Sequence, residues 1–183
     1  MKKRKKIIGR IFYFEWLILV IDYFESTGLK EKIFDVVMPF GAGCIVSIIC
    51  MIYGKIDFAT KQLADVLISL ISILIGFSVM LVTLLLTSGG KGIEELKQKK
   101  TDKIIHNEKV SLFQKLHIQF TFSLICEILL LIIILSYYFL ITIINIGYLQ
   151  IFFLVIFISM TLNILLSIFR GIVNVYFVYY GGK

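Results

Sequence analysis

The residue with most chemical potential is Glu127, a carboxyl group inside the apolar run from Leu116 to Ile144. Counted from Leu116 at 1.5 Å per helical residue, it lies about 16 Å into a membrane helix, close to the bilayer midplane. A carboxylate is costly there and generally faces protein or trapped water. Two interpretations fit: a proton or cation relay, or a protonated acid hydrogen-bonded to a hydroxyl. Both predict that Glu127 faces the bundle interior.

Two polar side chains in other apolar runs are candidate partners for this carboxyl group. Ser72 lies at a similar depth in the run from Ala64 to Ser88, so we predict that its hydroxyl hydrogen-bonds Glu127. Asn163 is closer to the end of the last apolar run and is the second candidate. Glu127, Ser72 and Asn163 therefore form the predicted intramembrane polar set.

Patterns typical of catalysis are weak elsewhere in the chain. His106 and His117 are eleven residues apart with no Cys nearby, and the sequence has no HExxH motif, nucleophile elbow or phosphate-loop spacing. The cysteines lie in apolar runs without a CxxC pair, as small buried hydrophobic residues do; they are Cys44, Cys50 and Cys126. We expect no catalytic residues, no metal or cofactor, and no enzyme activity.

The elements that position these residues are predicted to be membrane helices. Of the 183 residues, 59% are hydrophobic and 17% charged, whereas soluble domains have about half and a quarter. A hydrocarbon core of about 30 Å needs about 20 helical residues. Four stretches satisfy this length and predict an all-α, polytopic membrane protein: Ile33 to Tyr53, Ala64 to Ser88, Leu116 to Ile144 and Tyr148 to Phe169.

A fifth stretch, Ile7 to Phe24, is long enough to span but carries acidic residues on one side of the helix. The acidic residues within the stretch are Glu15 and Asp22, and Glu25 follows it on the same side. An acidic stripe on an apolar cylinder suits either an amphipathic helix in the membrane interface or a span whose stripe faces the bundle. The number of crossings decides between the two.

The distribution of Lys and Arg favours four crossings. Eight precede residue 33, seven lie from Lys91 to Lys115, and none is in the turn around Asn145. Cytoplasmic loops are enriched in these residues, and only four spans place both rich regions on that side. We predict a multi-pass membrane protein with both termini on the cytoplasmic side. Residues 1–32 form a basic N-terminus with an interfacial helix, and residues 33–183 a four-helix domain with a cytoplasmic loop at 89–115.

The central loop is the only sizeable polar region. A helix is predicted from Ile93 to Ile105, but 25 residues cannot bury the core of a catalytic domain. The loop lacks a reading helix or interleaved aromatics for nucleic acid, so we expect no direct nucleic-acid binding. Anionic lipid headgroups and a soluble partner are the expected contacts of its lysines; the predicted contact residues are Lys97, Lys99, Lys100 and Lys103.

Rows of small residues predict helix packing, because small side chains let helix backbones approach each other in lipid. Gly43 and Ser47 form such a row in the first span, and Ser69 and Gly76 in the second. Pro39 removes a backbone donor near the start of the first span and predicts a kink or local unwinding.

The layout of four spans, a basic N-terminus and a Lys-rich segment KGIEELKQKKTDK (Lys91 to Lys103) after IGFSVMLVTLLLTS (Ile75 to Ser88) resembles small bacterial inner-membrane proteins of defence loci. The resemblance is to the membrane subunit of Kiwa-type anti-phage systems. It implies a homo-oligomer that works with a cytoplasmic effector protein. Three hypotheses remain open: a non-enzymatic interaction subunit, a pore-forming or membrane-disrupting effector, and a small transporter or bacteriocin immunity protein.

Overall fold

The computed structural model describes residues 16–87, 91–105, 108–143 and 147–180. Four helices in these ranges are long and apolar enough to cross a membrane, so the prediction of an all-α polytopic membrane protein with four spans is confirmed. We number them in chain order with the shorter helices: α2 Leu29–Ile52, α3 Ile56–Thr87, α5 Leu112–Ile143 and α6 Gly147–Tyr180.

The helices extend beyond the apolar runs that predicted them. α3 and α5 have 32 residues each, about 48 Å at 1.5 Å per residue, which exceeds a hydrocarbon core of about 30 Å. Their ends therefore project into the polar layers. α2 begins at Leu29, so the boundary predicted between residues 32 and 33 falls within a continuous helix.

The bundle is arranged around α6, which packs against α2, α3 and α5. α5 also packs along α3, whereas α2 rests mainly on α6 and little on α3, its neighbour in the chain. The apolar core lies where α3, α5 and α6 meet. Its fully buried members include Leu67, Ile71, Leu130, Ile134 and Phe157.

A short helix, α1 (Trp16–Ser26), precedes the first span and covers part of the stretch predicted as an interfacial helix. It packs against α5. Residues 7–15 and the basic cluster Lys2 to Lys6 lie outside the described residues. The location of α1 in the membrane interface stays a prediction.

The segment between α3 and α5 is partly helical and partly β. α4 (Lys91–Gln98) is followed by an antiparallel hairpin of β1 (Lys100–Ile105) and β2 (Glu108–Ser111). The predicted helix from Ile93 to Ile105 is therefore wrong beyond Gln98. The strand carries the β-branched residues that suit a half-buried pleat, and its residues alternate between more and less exposed positions. We call α4, β1 and β2 the loop module.

The loop module lies at the end of the bundle where α3 and α6 end and α5 begins. We call this the lysine-rich end, and the end where α3 and α6 begin the opposite end. The turn predicted around Asn145 belongs to the opposite end and lies mostly outside the described residues.

Candidate functional site at the lysine-rich end

The loop module is seated on the helix bundle through Leu96. This side chain is 2% exposed and packs with Leu85 at the end of α3 and with Leu116 and Phe120 of α5. The amide of Leu112 donates a 2.9 Å hydrogen bond to the carbonyl oxygen of Lys99, which joins the module to the first turn of α5. The loop between the second and third spans is therefore folded against the bundle.

The predicted contact lysines surround this seat. Lys97, Lys99 and Lys100 are exposed, and the ammonium nitrogen of Lys97 lies 5.1 Å from the ring centroid of Phe113. Lys103 is half-buried beside Gly28, just before α2. The first three lysines are available to a soluble protein or to headgroups, while the fourth contributes to the contact between the module and the start of α2.

The N-terminal helix α1 is attached to the bundle through Tyr23. Its ring, 1% exposed, stacks on Phe122 of α5 with centroids 3.7 Å apart and planes 5° apart. The Tyr23 hydroxyl donates a 2.6 Å hydrogen bond to Oδ2 of Asp35. Burial, together with this bond, raises the pKa of Tyr23 to about 12. The phenol therefore acts as a neutral donor throughout the physiological range.

Asp35 also holds Arg170, so that three helices meet at one carboxylate. Arg170 Nη1 lies 2.6 Å from Asp35 Oδ2, and Arg170 Nη2 donates to the Tyr23 hydroxyl oxygen at 3.1 Å. The Asp35 side chain is 4% exposed and that of Arg170 20%. Breaking such a pair would leave an uncompensated buried charge; Arg170 Nε has no hydrogen-bond partner among the described residues, so the charge contact with Asp35 is the main interaction of the guanidinium. We call Tyr23, Asp35 and Arg170 the Asp35 junction.

The backbone beside Asp35 is shaped by Pro39. Proline has no N–H, so in a regular helix the carbonyl of Asp35, four residues earlier, would lose its donor. The segment Ile33–Val37 is a π-helical turn, which agrees with the local unwinding predicted here. The side-chain amide of Asn163 on α6 donates to the Asp35 carbonyl oxygen. Asn163 thus completes the backbone of α2 and does not pair with Glu127 in this arrangement.

A second ion pair joins the start of α2 to α5. Lys115 Nζ lies 3.2 Å from Glu31 Oε1, and the amide of Gly28 donates to Glu31 Oε2 at 3.0 Å. The same carboxylate therefore caps the start of α2 and binds the base of α5. Together with the Asp35 junction, this contact fixes the turn between α1 and α2 against the third span.

Glu127 is fully buried, as predicted, but its partner differs from the prediction. Ser78 on α3 donates to Glu127 Oε1 at 2.7 Å, and Ser123, one turn earlier on α5, donates at 3.4 Å. Ser72 is exposed and donates to the carbonyl of Ile68 on its own helix. Six residues separate Ser72 from Ser78, which places them about 120° apart around α3 at 100° per residue. The predicted pair is corrected to Ser78 and Glu127.

The two predicted rows of small residues lie in different environments. Gly43 and Ser47 are buried on the face of α2 that meets α6. A Cβ at Gly43 would lie 2.5 Å from the Ser159 hydroxyl oxygen and 2.8 Å from the Val155 carbonyl oxygen. Only glycine permits this approach, so the first row is a helix contact, as predicted.

The second row faces outward. Ser69, Ser72 and Gly76 are exposed on α3, and a Cβ at Gly76 would have no neighbour within 4 Å. In the part of the chain that the structure describes, this row does not pack against another helix. It is left to lipid or to a second chain.

Comparisons with models of protein families, with curated proteins and with solved structures find no match. The function must therefore be inferred from the geometry. Within the described ranges, no three His, Cys, Asp or Glu side chains form a group able to hold a metal ion. The charged groups that converge at the lysine-rich end bind one another, and the arrangement suits holding helices and a surface module in place.

The Asp35 junction was not predicted from the sequence. Asp35 lies within the apolar run that predicts the first span, and Arg170 follows the run that predicts the fourth, so no partner is predicted for either residue. One signal was available: in a four-span chain, the start of the first span and the end of the fourth lie on the same side. A lone acid and a lone base at that depth are expected to pair, since unpaired charges there are costly.

Proposed function

We propose that this chain is a non-enzymatic subunit of a bacterial inner membrane, with both termini in the cytoplasm. It presents the loop module to a soluble cytoplasmic partner, as the membrane sensor or anchor of an anti-phage defence system. The observation that carries the proposal is the seating of the loop module, whose Leu96 is buried while Lys97, Lys99 and Lys100 stay exposed.

The physical reason is preorganisation. A loop that is already ordered loses less conformational entropy on binding than a flexible one, so more of its contact energy becomes affinity. Three exposed cations, Lys97, Lys99 and Lys100, lie next to one another at the junction of α4 and β1. Such a patch favours an acidic protein surface, and the same charges attract anionic headgroups at about 1 kcal/mol each near the membrane.

The contacts of α1 extend the same surface. α1 packs against β1 as well as α5, so the N-terminal helix, the hairpin and the third span meet at the lysine-rich end. A partner bound to the hairpin would be linked through Tyr23 and Asp35 to the first and fourth spans. This linkage supports a subunit that relays changes in the membrane to a soluble protein.

Oligomerisation through α3 is part of the proposal. The exposed row of Ser69, Ser72 and Gly76 offers the close backbone approach that drives helix association in lipid. With Cys44, Cys50 and Cys126 replaced, a cysteine at Ser72 should crosslink between chains in native membranes. A cysteine at Phe77, also exposed on α3 and at a similar depth but about 140° from Ser72 around the helix, is the control. Equal crosslinking at both positions would remove the support for this interface.

A pore-forming effector would need Glu127 to line a continuous path. In a single chain this carboxyl group is fully buried and bound by Ser78. Conduction is therefore not the function that this geometry supports best.

The interaction proposal is tested by reversing the exposed charges. The full-length chain carrying Lys97→Glu, Lys99→Glu and Lys100→Glu is purified from cells that contain its native gene neighbourhood, beside the wild type. Lys55→Glu, an exposed lysine at the opposite end, is the matched control. We expect one soluble protein to co-purify with the wild type and the control, and to be lost with the triple variant.

Phage sensitivity of the same strains provides the second measurement. Protection should survive Lys55→Glu and disappear with the triple variant if the module recruits a defence effector. Retention of both the partner and protection by the triple variant would contradict the proposal.

A further inference from the structure

One face of α5 is polar for two turns inside the bundle. Gln119, Ser123 and Glu127 follow one another at intervals of four residues, and each is at most 2% exposed. This spacing places them in a row along the helix, since residues four apart lie on the same side. The row leads from the lysine-rich end into the interior.

Several buried oxygens, two in this row and two between α2 and α6, have no hydrogen-bond partner among the described residues. Oε2 of Glu127 and Oε1 of Gln119 are buried and receive no hydrogen bond from any residue that the structure describes. The hydroxyl oxygens of Ser47 and Ser159, between α2 and α6, are in the same condition. Burying such groups dry costs free energy, and in folded proteins they are usually satisfied by ordered water.

The row begins beside the Asp35 junction. The side-chain amide of Gln119 donates a 2.6 Å hydrogen bond to the carbonyl oxygen of Ser167, one turn before Arg170 on α6. Charged groups of the junction and the base of α5 thus lie at its outer end. The polar groups nearest this end of the row are therefore the Gln119 amide, the Ser167 carbonyl and the Arg170 guanidinium.

The row ends at Glu127. The next inward-facing residues of α5 are Leu130 and Ile134, both 0% exposed. They pack with buried apolar residues of the neighbouring helices, which include Leu67, Ile71 and Phe157. A dry, close-packed segment therefore separates Glu127 from the opposite end.

Glu127 is electrostatically isolated at this depth. α3 has no titratable side chain between Asp65 and Thr87, and α6 has none between Tyr148 and Arg170. On its own helix the nearest are the Cys126 thiol and His117; on α2 they are Asp35, Cys44 and Cys50. Among the described residues the side-chain donors to the carboxylate are Ser78 and Ser123, and neither is a cation, so adding a proton is the available way to neutralise it.

We propose that Glu127 is a proton-binding site at the closed end of a water-accessible path that opens only at the lysine-rich end. A hydronium ion in the path transfers its proton to Oε2 and becomes water, and the carboxyl group stays hydrogen-bonded to Ser78 through Oε1. Protonation of the buried carboxyl thus follows the pH on one side of the membrane. This inference is independent of the proposed partner.

Access is tested by cysteine labelling in the full-length chain with Cys44, Cys50 and Cys126 replaced by serine. Single cysteines are placed at Gln119 and Ser123 in the path and at Leu130 and Ile134 beyond it. A small charged methanethiosulfonate reagent, which reacts with thiolate in water, is added to one side of sealed membrane vesicles at a time. A cysteine at Asp102, exposed in β1, marks the lysine-rich side.

We expect positions 119 and 123 to react roughly tenfold faster than positions 130 and 134, since only hydrated thiols ionise readily, and only when the reagent is on the Asp102 side. Equal rates at the four positions, or reaction from the other side, would overturn the proposal. A parallel preparation with its single cysteine at Asp102 shows that the reagent reaches the lysine-rich side, so a slow rate at another position reports the depth of that position.

Proton binding itself is measured by infrared spectroscopy of the unlabelled protein. The C=O stretch of a protonated carboxyl group, identified by its loss in Glu127→Gln, should shift on transfer to D2O within minutes and vanish at high pH. Asp65→Asn removes a different carboxyl group on α3 and should leave the band unchanged. A Glu127 band that never exchanges, or no such band at any pH, contradicts the proposal.

Discussion

The two halves of the bundle interior are built from different side chains. Toward the opposite end, the core is formed by aliphatic and aromatic residues such as Leu67, Ile134 and Phe157. Toward the lysine-rich end, α5 and α2 turn Gln119, Glu127 and Asp35 inward. The first half has a close-packed apolar centre, and its buried polar groups Thr60, Tyr137 and Gln150 lie nearer its outer end. The second half carries buried polar groups deep into the bundle, together with a buried ion pair.

The ends of the bundle differ in the same way. At the opposite end, Lys61 and Asp57 form an ion pair 3.1 Å long whose side chains are 52% and 56% exposed. At the lysine-rich end, Arg170 and Asp35 form a buried pair. Exposed pairs contribute about 0–1 kcal/mol, whereas breaking a buried pair leaves an uncompensated charge. The lysine-rich end therefore contains a buried ion pair, whereas the ion pair at the opposite end is exposed.

The largest effect is expected when a carboxyl group is placed among the apolar side chains of the half toward the opposite end. We expect Ile134→Glu to cost about 4 kcal/mol or more, because the acid has no partner there and a packed side chain is lost. Glu127→Gln, in the polar half, should cost less than about 1 kcal/mol, because the amide oxygen still accepts the hydrogen bond from Ser78. Reversible unfolding in detergent measures both; similar losses would erase the distinction between the halves.

Removing one member of each ion pair tests the difference between the ends. Asp35→Ala should reduce the free energy of unfolding by about 3 kcal/mol, at the lower end for buried pairs because Arg170 keeps some exposure. The comparison change Lys61→Ala breaks the exposed pair and leaves the hydrogen bond from Gln150 to Asp57 in place, so it should cost less than about 1 kcal/mol. A double-mutant cycle with Arg170→Ala separates the pair energy from the loss of packing. A coupling near zero for Asp35 and Arg170 would contradict a structural role for the junction.

Adding a single methyl group sharpens the contrast between a buried and an exposed helix face. Gly43→Ala forces a Cβ against Ser159 and Val155 and should cost about 1–3 kcal/mol through overpacking. Gly76→Ala meets open space and should be neutral or stabilising by up to about 1 kcal/mol, because alanine favours helix over glycine. Thermal unfolding of the two variants in the same detergent checks the difference in sign.

The smallest expected effect concerns the phenol that attaches α1. Tyr23→Phe removes one hydrogen bond to Asp35 and should cost about 1 kcal/mol. In the wild type, the pKa of Tyr23 is raised from 10 to about 12, so the folded chain keeps a proton that the unfolded chain loses. Stability should therefore fall as the pH rises from about 10 to about 12, and this slope should be weaker in Tyr23→Phe. Parallel pH profiles for the two proteins would show that the phenol is not buried as described.

The spans could be predicted because their apolar runs are longer than any other element needs. The ends of these helices could not be predicted. Polar residues such as Asp57 and Lys115 continue the helices beyond the apolar runs, and hydropathy does not distinguish a solvated helical turn from a loop. The inward direction of Glu127 followed from the cost of its burial. The predicted partner was wrong because Ser72 and Ser78 differ by about 9 Å in depth and by about 120° around the helix axis. Counted from the lysine-rich end, Ser78 is the serine that lies at the level of Glu127.

The Asp35 junction and the hairpin were beyond the sequence for other reasons. Asp35 and Arg170 are 135 residues apart in the chain, and their contact depends on α2 packing against α6 and not against α3. In the loop, exposed and less exposed positions alternate over only the six residues of β1, and several of these are charged. The same residues also fit a solvated helix. The burial of Leu96 against α5 shows that the loop is folded onto the bundle.

The proposed function depends on the side of the membrane to which the lysine-rich end is exposed. In a chain without native cysteines, single cysteines at Asp102 in β1 and at Lys55 at the opposite end are labelled with an impermeant maleimide in intact cells. We predict that the Lys55 position reacts at once and the Asp102 position only after permeabilisation. Labelling of the Asp102 position in intact cells would place the loop module outside the cytoplasm and contradict the proposed docking of a soluble partner.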